Sequence, residues 1–329
     1  MPASLAHHPP ITPTSPVSVL GTALRTARGW HRPLVLFAAA MVATAMVALV
    51  GLVVDDRTLV GAPIWAKPFK FAVSLALYAV TWAWLLSLQT RARRFASALA
   101  TVSVAAGTVE MVAIVGQTVR GQRSHFNVAT PLDMTLWFVM GTTITILWVA
   151  NLLGTVLLMR EDVPDPAMRW AIRAGLVVSL AGMAVAFLMT SPTADQLAHG
   201  RPTTVGAHGV GVADGGPGMP LTGWSTTGGD LRIPHFVGLH AIQLLPLFAV
   251  LLTVLAGRFA VLRDQRARLR LMWTAGGGYA GLLGLLTWQA LRGQSLIAPD
   301  ALTLLAVTAL TAAVAAGVVS ALRHRAVTR

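Results

Sequence analysis

The sequence predicts an all-α, polytopic membrane helix bundle of about eight transmembrane helices, arranged as two tandem four-helix halves. Three observations carry this. Of the 329 residues 55% are hydrophobic and only 11% charged, and the apolar residues come in runs near the ~20 needed to cross a ~30 Å hydrocarbon core. The alternating pattern of a barrel strand is absent, so backbone groups that meet no water in lipid must close their hydrogen bonds within helices. Two distant stretches also echo each other: QTVRGQ from Gln117 leads to TPLD, and QALRGQ from Gln289 leads to APD. A second echo lies upstream of each, where Lys67-Pro68-Phe69-Lys70-Phe71 and Arg232-Ile233-Pro234-His235-Phe236 both open an apolar run. Agreement in order and spacing favours duplication over chance, and halves with an even number of spans share one orientation, which puts the symmetry axis along the membrane normal.

Spans are expected near residues 33–54, 67–89, 95–117, 132–158, 168–190, 233–256, 271–290 and 299–322, with boundaries good to about ±3 residues. The division is a disordered tail at 1–32, a first half at 33–160 and a second half at 161–329 with a long outer loop at 191–232. The tail is polar and Pro-rich, with His7, His8, Pro9 and Pro10. The apolar run after it exceeds the ~7–15 residues of a signal-peptide core, so the first span is expected to be retained.

The net charge of +13 suggests nucleic acid until its distribution is read. Arg25, Arg28, Arg32, Arg91, Arg93, Arg94, Arg160, Arg169, Arg173, Arg258, Arg263, Arg266, Arg268, Arg270, Arg323, Arg325 and Arg329 fall on one side of the spans. The other side holds Arg57, Lys67, Lys70, Arg120, Arg123, Arg201, Arg232 and Arg292. The positive-inside rule then makes both termini cytoplasmic, in a bacterial inner membrane, and excludes nucleic acid as partner in favour of the lipid bilayer. There is no cysteine, hence no disulfide framework, thiolate metal site or Cys nucleophile.

In the second span Lys67, Lys70 and Ser74 line one helical face. These lysines are the only ones in an Arg-rich chain, so each is either a snorkelling anchor or a compact ammonium placed for function. The third span carries Glu110 about two turns from its outer end, on a stripe with Ser103, Gly107, Ile114, Gln117 and Gly121. A carboxylate at that depth marks a functional site or a structural ion pair to Lys67, Lys70 or Arg120. Before the fourth span Thr130 fits a helix cap, with Pro131 in the first turn and Asp133 three residues past the cap, a structural role for Asp133.

The outer loop at 191–232 is long for a connection, and its glycines, prolines and Trp224 predict a turn-rich cap over the bundle. Its GVGVADGGPG segment has no strand before it and no Rossmann helix after it, and no GxxxxGK[ST], HExxH or GxSxG motif occurs. The sixth span opens with His235, His240 and Gln243; a spacing of five is a weak metal signal, and interface hydrogen bonding accounts for the pair somewhat better. With His125 and His208 also outside, and with Met219 and carboxylates as further ligands, copper, zinc or haem is the cofactor chemistry open to the chain. Gly276, Gly277, Gly278, Gly281 and Gly284 of the seventh span suit close helix packing, and Trp65, Trp137 and Trp273 sit near span ends, as in aromatic belts.

At RGQRSHFNVATPLD and DGGPGMPLTGWSTTGGDLRIPHFVGLHAIQ the chain resembles an uncharacterised family of bacterial multi-pass integral membrane proteins. The resemblance extends over most of spans 2–8 and implies one folding unit, without a reaction or ligand. The expected function is therefore an outward-facing polar pocket that binds a small ligand, metal ion or haem, with a redox-linked role open. The alternatives are a transporter and a non-catalytic structural or sensory subunit. Expected ligand-binding residues are Lys67, Lys70, Glu110, Gln117, Arg120, Asp214, Asp230, Gln243 and Arg292, and expected metal ligands are His125, His208, His235 and His240. A transport route would need polarity continuing inward, where Asn151 and Arg173 are the scattered candidates.

Overall fold

The computed structural model describes residues 29–198 and 203–323; the tail to position 28 with Arg25 and Arg28, Arg201, Arg325 and Arg329 lie outside the described residues. Helices α1 (Arg32–Val54), α2 (Ala66–Ser87), α3 (Arg93–Val119) and α4 (Pro131–Leu158) make the first group. The second is α5 (Pro166–Met189), a short α6 (Ala194–Ala198), α7 (Arg232–Leu239), α8 (Ala241–Leu255), α9 (Gln265–Leu291) and α10 (Ala301–Arg323). A 3-10 turn at Ala260–Arg263 and two short hairpins, β1 (Thr58–Leu59) with β2 (Ala62–Pro63) and β3 (Gly209–Val210) with β4 (Gly229–Asp230), complete the described residues.

Six of the helices are long and apolar enough to cross a membrane, and the bent pair α7–α8 makes up to seven. The expected seventh span, α9, is 27 residues long but is not among them; its glycines, Tyr279 and tryptophans dilute its apolar content. The sixth expected span is interrupted: α7 and α8 meet at 43°. At that break Gly238 lies so close to Gly182 of α5 that a Cβ on Gly182 would come within 2.5 Å of the Gly238 Cα. Backbone contact of this kind is how small residues hold membrane helices together.

Helix ends follow local chemistry. Thr130 accepts the Asp133 N–H and donates its hydroxyl to the Asp133 carboxylate, with Pro131 in the first turn. Asp165 caps α5 by accepting from Ala167 and Met168. In packing, α1 lies on α2 and α3, α2 on α3, and α3 on α4; in the same pattern α5 lies on α7–α8 and α9, α7–α8 on α9, and α9 on α10, with α4 against α5 as the join. One core forms around Leu34, Phe37, Met41, Ala72, Ala79 and Met111, a second around Ala171, Leu245, Ala249, Leu271 and Met272. Leu85, Leu158, Ile172, Leu176 and Ile242 pack between the two groups.

The ends of α3 and α9 turn alike. Gly121 and Gly293 adopt φ +69° and +70°, the left-handed conformation that ends helices at low cost in glycine. Gln122 donates to the Gln117 carbonyl and Gln294 to the Gln289 carbonyl. The buried side chains of Gln117 and Gln289 donate to the carbonyls of Arg123 and Ser295. Arg120 then pairs with Asp133 at 3.0 Å and Arg292 with Asp300 at 2.5 Å.

Candidate functional site

Glu110 is 2% exposed, in the C-terminal half of α3. Its Oε1 lies 3.2 Å from Nε2 of His125, from the α3–α4 loop. Phe126, next in the chain, holds φ +63° while almost fully buried, and that turn presents the imidazole inward. The His125 ring stands among Phe71, Phe126 and Trp137, all with centroids within 6.1 Å. Burial, and then the charge of Lys67 and the rings of His208 and His235, hold its pKa well below the ordinary histidine value. A neutral ring lets the Ser124 hydroxyl, 3.2 Å from Nδ1, donate there and leaves Nε2–H for Glu110.

Lys67 enters from the first turn of α2, its ammonium 5.8 Å from the Phe71 ring and within electrostatic reach of Glu110 and Asp214. It makes no hydrogen bond to a described residue. Glu110 Oε2 is likewise buried without a partner. The imidazole that faces Glu110 is thus His125 of a loop, and not His240, which helical depth alone would match to it.

The remaining expected residues have other engagements. His208 presents Nδ1–H to Asp214 at 2.8 Å, and the same carboxylate accepts the N–H groups of His208 and Gly209. Burial pushes the Asp214 carboxyl up, but the His208 ring and these bonds outweigh it and hold it low; burial also pushes His208 below its ordinary value. Asp230 chelates Arg232 through its guanidinium and N–H and accepts from Ser225 N–H, which folds the outer loop. Lys70 donates to the Thr222 carbonyl. His235 gives Nδ1–H to the Gly182 carbonyl, 2.8 Å away, and His240 rests on Phe236 with ring centroids 4.5 Å apart. Gln243 donates to Thr81 across the join between the two groups of helices, and its Oε1 is buried without a partner. Gln117, Arg120 and Arg292 belong to the helix-end turns.

The histidines therefore do not converge. Among the described residues no group of three or more His, Asp or Glu side chains is placed to hold a metal ion. What converges is Lys67, Glu110 and His125, roofed by residues 203–231 of the outer loop. That roof is bonded to both neighbouring loops: Val128 donates to the Thr203 carbonyl, Val205 to the Phe126 carbonyl, and Ser295 Oγ to the Ser225 carbonyl.

Inward of Glu110, Phe37 and Leu75 close over Gly107. Further along, Tyr78 donates to Asn151 at 3.1 Å beside a void of about 20 Å³, room for about one water. At the inner end Glu161 accepts from Gln89, Thr90 and the Arg91 N–H. Neither family models, curated proteins nor solved structures match this chain, and the site is read from its own residues.

Proposed function

We propose that this is an eight-span protein of a bacterial inner membrane, built as two tandem halves with both termini cytoplasmic, that binds a small polar ligand on its outer side between Lys67 and Glu110. The charge asymmetry of the loops supports the orientation. The like-built ends of α3 and α9 and the recurring packing pattern support the tandem halves.

One observation carries the binding site: Glu110 Oε2 is buried without a partner, and the half-buried Lys67 ammonium, within electrostatic reach of Glu110, makes no hydrogen bond to a described residue. A buried polar group left unpaired costs about 1–3 kcal/mol, so a ligand that satisfies both is bound with that gain. The fitting class is a zwitterion, with a carboxylate for Lys67 and an ammonium for Glu110. Passage across the membrane is the weaker reading, because Phe37 and Leu75 crowd Gly107, about one turn of α3 before Glu110. Metal, haem and redox chemistry are not part of the proposal, since each histidine is engaged separately.

The test is thermal unfolding of the purified protein against α-amino acids, diamines and dicarboxylates. A zwitterion at ~100 times its Kd should stabilise by about 2.7 kcal/mol, and Lys67→Met and Glu110→Gln should each remove the shift. Diamines or dicarboxylates working as well, or a shift that survives both substitutions, would overturn the assignment.

A further inference from the structure

The ends of α3 and α9 differ in one respect that creates a second site. Arg292 is engaged through both terminal nitrogens: both bond Asp300, Nη1 also reaches Thr303, and the guanidinium lies 4.5 Å over the Trp288 ring. Arg120 uses Nη1 alone, for Gln117 and Asp133, so Nη2 and Nε keep their N–H groups free of described partners. Its side chain is 39% exposed. A second guanidinium, Arg57, donates to the Val119 carbonyl at the same helix end.

Beneath Arg292 stands Trp288; the residue at the same spacing before Arg120 is Gly116. A side chain at Gly116 would meet nothing within 4 Å. The space is a groove of about 400 Å³ between the outer halves of α3 and α4, walled by Val109, Val112, Leu132, Leu136 and Val139, with Arg120 at its mouth. That volume lies in the ~300–1,000 Å³ range of ligand pockets. The walls are apolar and open to the hydrocarbon region, with Val112 67% exposed.

We propose that this groove binds an anionic phospholipid, one acyl chain lying along Gly116 and the phosphate on the free fork of Arg120. A cation at headgroup level above an apolar slot is complementary to a phosphodiester with its chain, and Arg offers the paired donors such an oxyanion takes.

Native mass spectrometry of the full chain, with phosphatidylglycerol or phosphatidylcholine added, tests this. Wild type should hold one phosphatidylglycerol at roughly fivefold or greater preference over phosphatidylcholine, the size expected of one interfacial charge. Gly116→Trp, which copies the α9 arrangement, should abolish the bound lipid, and Val112→Trp from the groove wall should do the same should the first variant not fold. Arg120→Gln, which removes the charge, should erase the headgroup preference. Equal binding of the two lipids by wild type, retention of phosphatidylglycerol by both filled variants, or equally tight binding of its dihexanoyl form would each overturn the proposal.

Discussion

The loop after α3 and the loop after α9 leave the same kind of helix end and then diverge. Both begin with a left-handed glycine, a glutamine tied to a carbonyl six residues on, and an arginine paired with an aspartate. The first loop then runs to Pro131 and carries His125 inward. The second is shorter and leaves Ile297, 57% exposed, pointing away from the bundle. At the spacing that relates the two ends, Glu110 corresponds to Leu282, itself 37% exposed. The turn is therefore separable from the chemistry beside it, since among the described residues only the α3 end has an acid and an imidazole in contact.

Substitutions at paired positions measure how far the likeness goes. The largest effect is expected at the aspartates. Asp133, 2% exposed, bonds Gln117, Thr130 and Arg120, so Asp133→Ala should cost about 2–3 kcal/mol. Asp300, 40% exposed, should give a clearly smaller drop in thermal midpoint. Equal losses would mean that exposure does not distinguish the two pairs.

Next come the glycines. Gly121→Ala and Gly293→Ala meet no close atom, so each should cost only the left-handed conformation, about 1–2 kcal/mol. Costs that differ by more than about 1 kcal/mol would show unequal strain.

A third distinction is pH. His125 and His208 have folded-state pKa values below the ordinary 6.5. As pH falls through that ordinary value the unfolded chain binds protons first, so stability declines below it and is flat above. Asp214, held low, adds a further loss only below its ordinary 3.8. The thermal midpoint should therefore fall between pH 7 and 5, and His125→Gln should flatten the slope, whereas Asp300→Asn should leave it unchanged. The smallest effect is expected for Ile297→His, within about ±0.5 kcal/mol at an exposed site, without creating a second acid–imidazole pair.

Much of the frame was legible because membrane helices and their ends are written locally. Apolar run length marked where helices form, and Thr130, Pro131 and Asp133 stand three residues apart or less, so their cap could be read directly. Glu110 stood out because a lone acid in an apolar run has few explanations. Its partner did not, since His125 reaches it through the positive φ of Phe126, for which the residue type gives no signal. The dispersal of Asp214, Asp230 and the other histidines among separate partners was equally hidden, because which loop residues meet is decided by long-range packing. The break between α7 and α8 was not legible in the apolar run at 233–256, because it falls where Gly238 and Leu239 meet Gly182 of another helix.

The outer loop joins three parts of the molecule that are distant in sequence. It pairs Thr204 with Asn127, bonds Ser225 to Ser295, and takes the Lys70 ammonium on Thr222. Those bonds stitch both groups of helices together along one surface, like a seam. Away from that seam the same two groups meet through the buried apolar side chains of Leu85, Leu158 and Ile172, so hydrogen bonds hold them at one level and burial at the other.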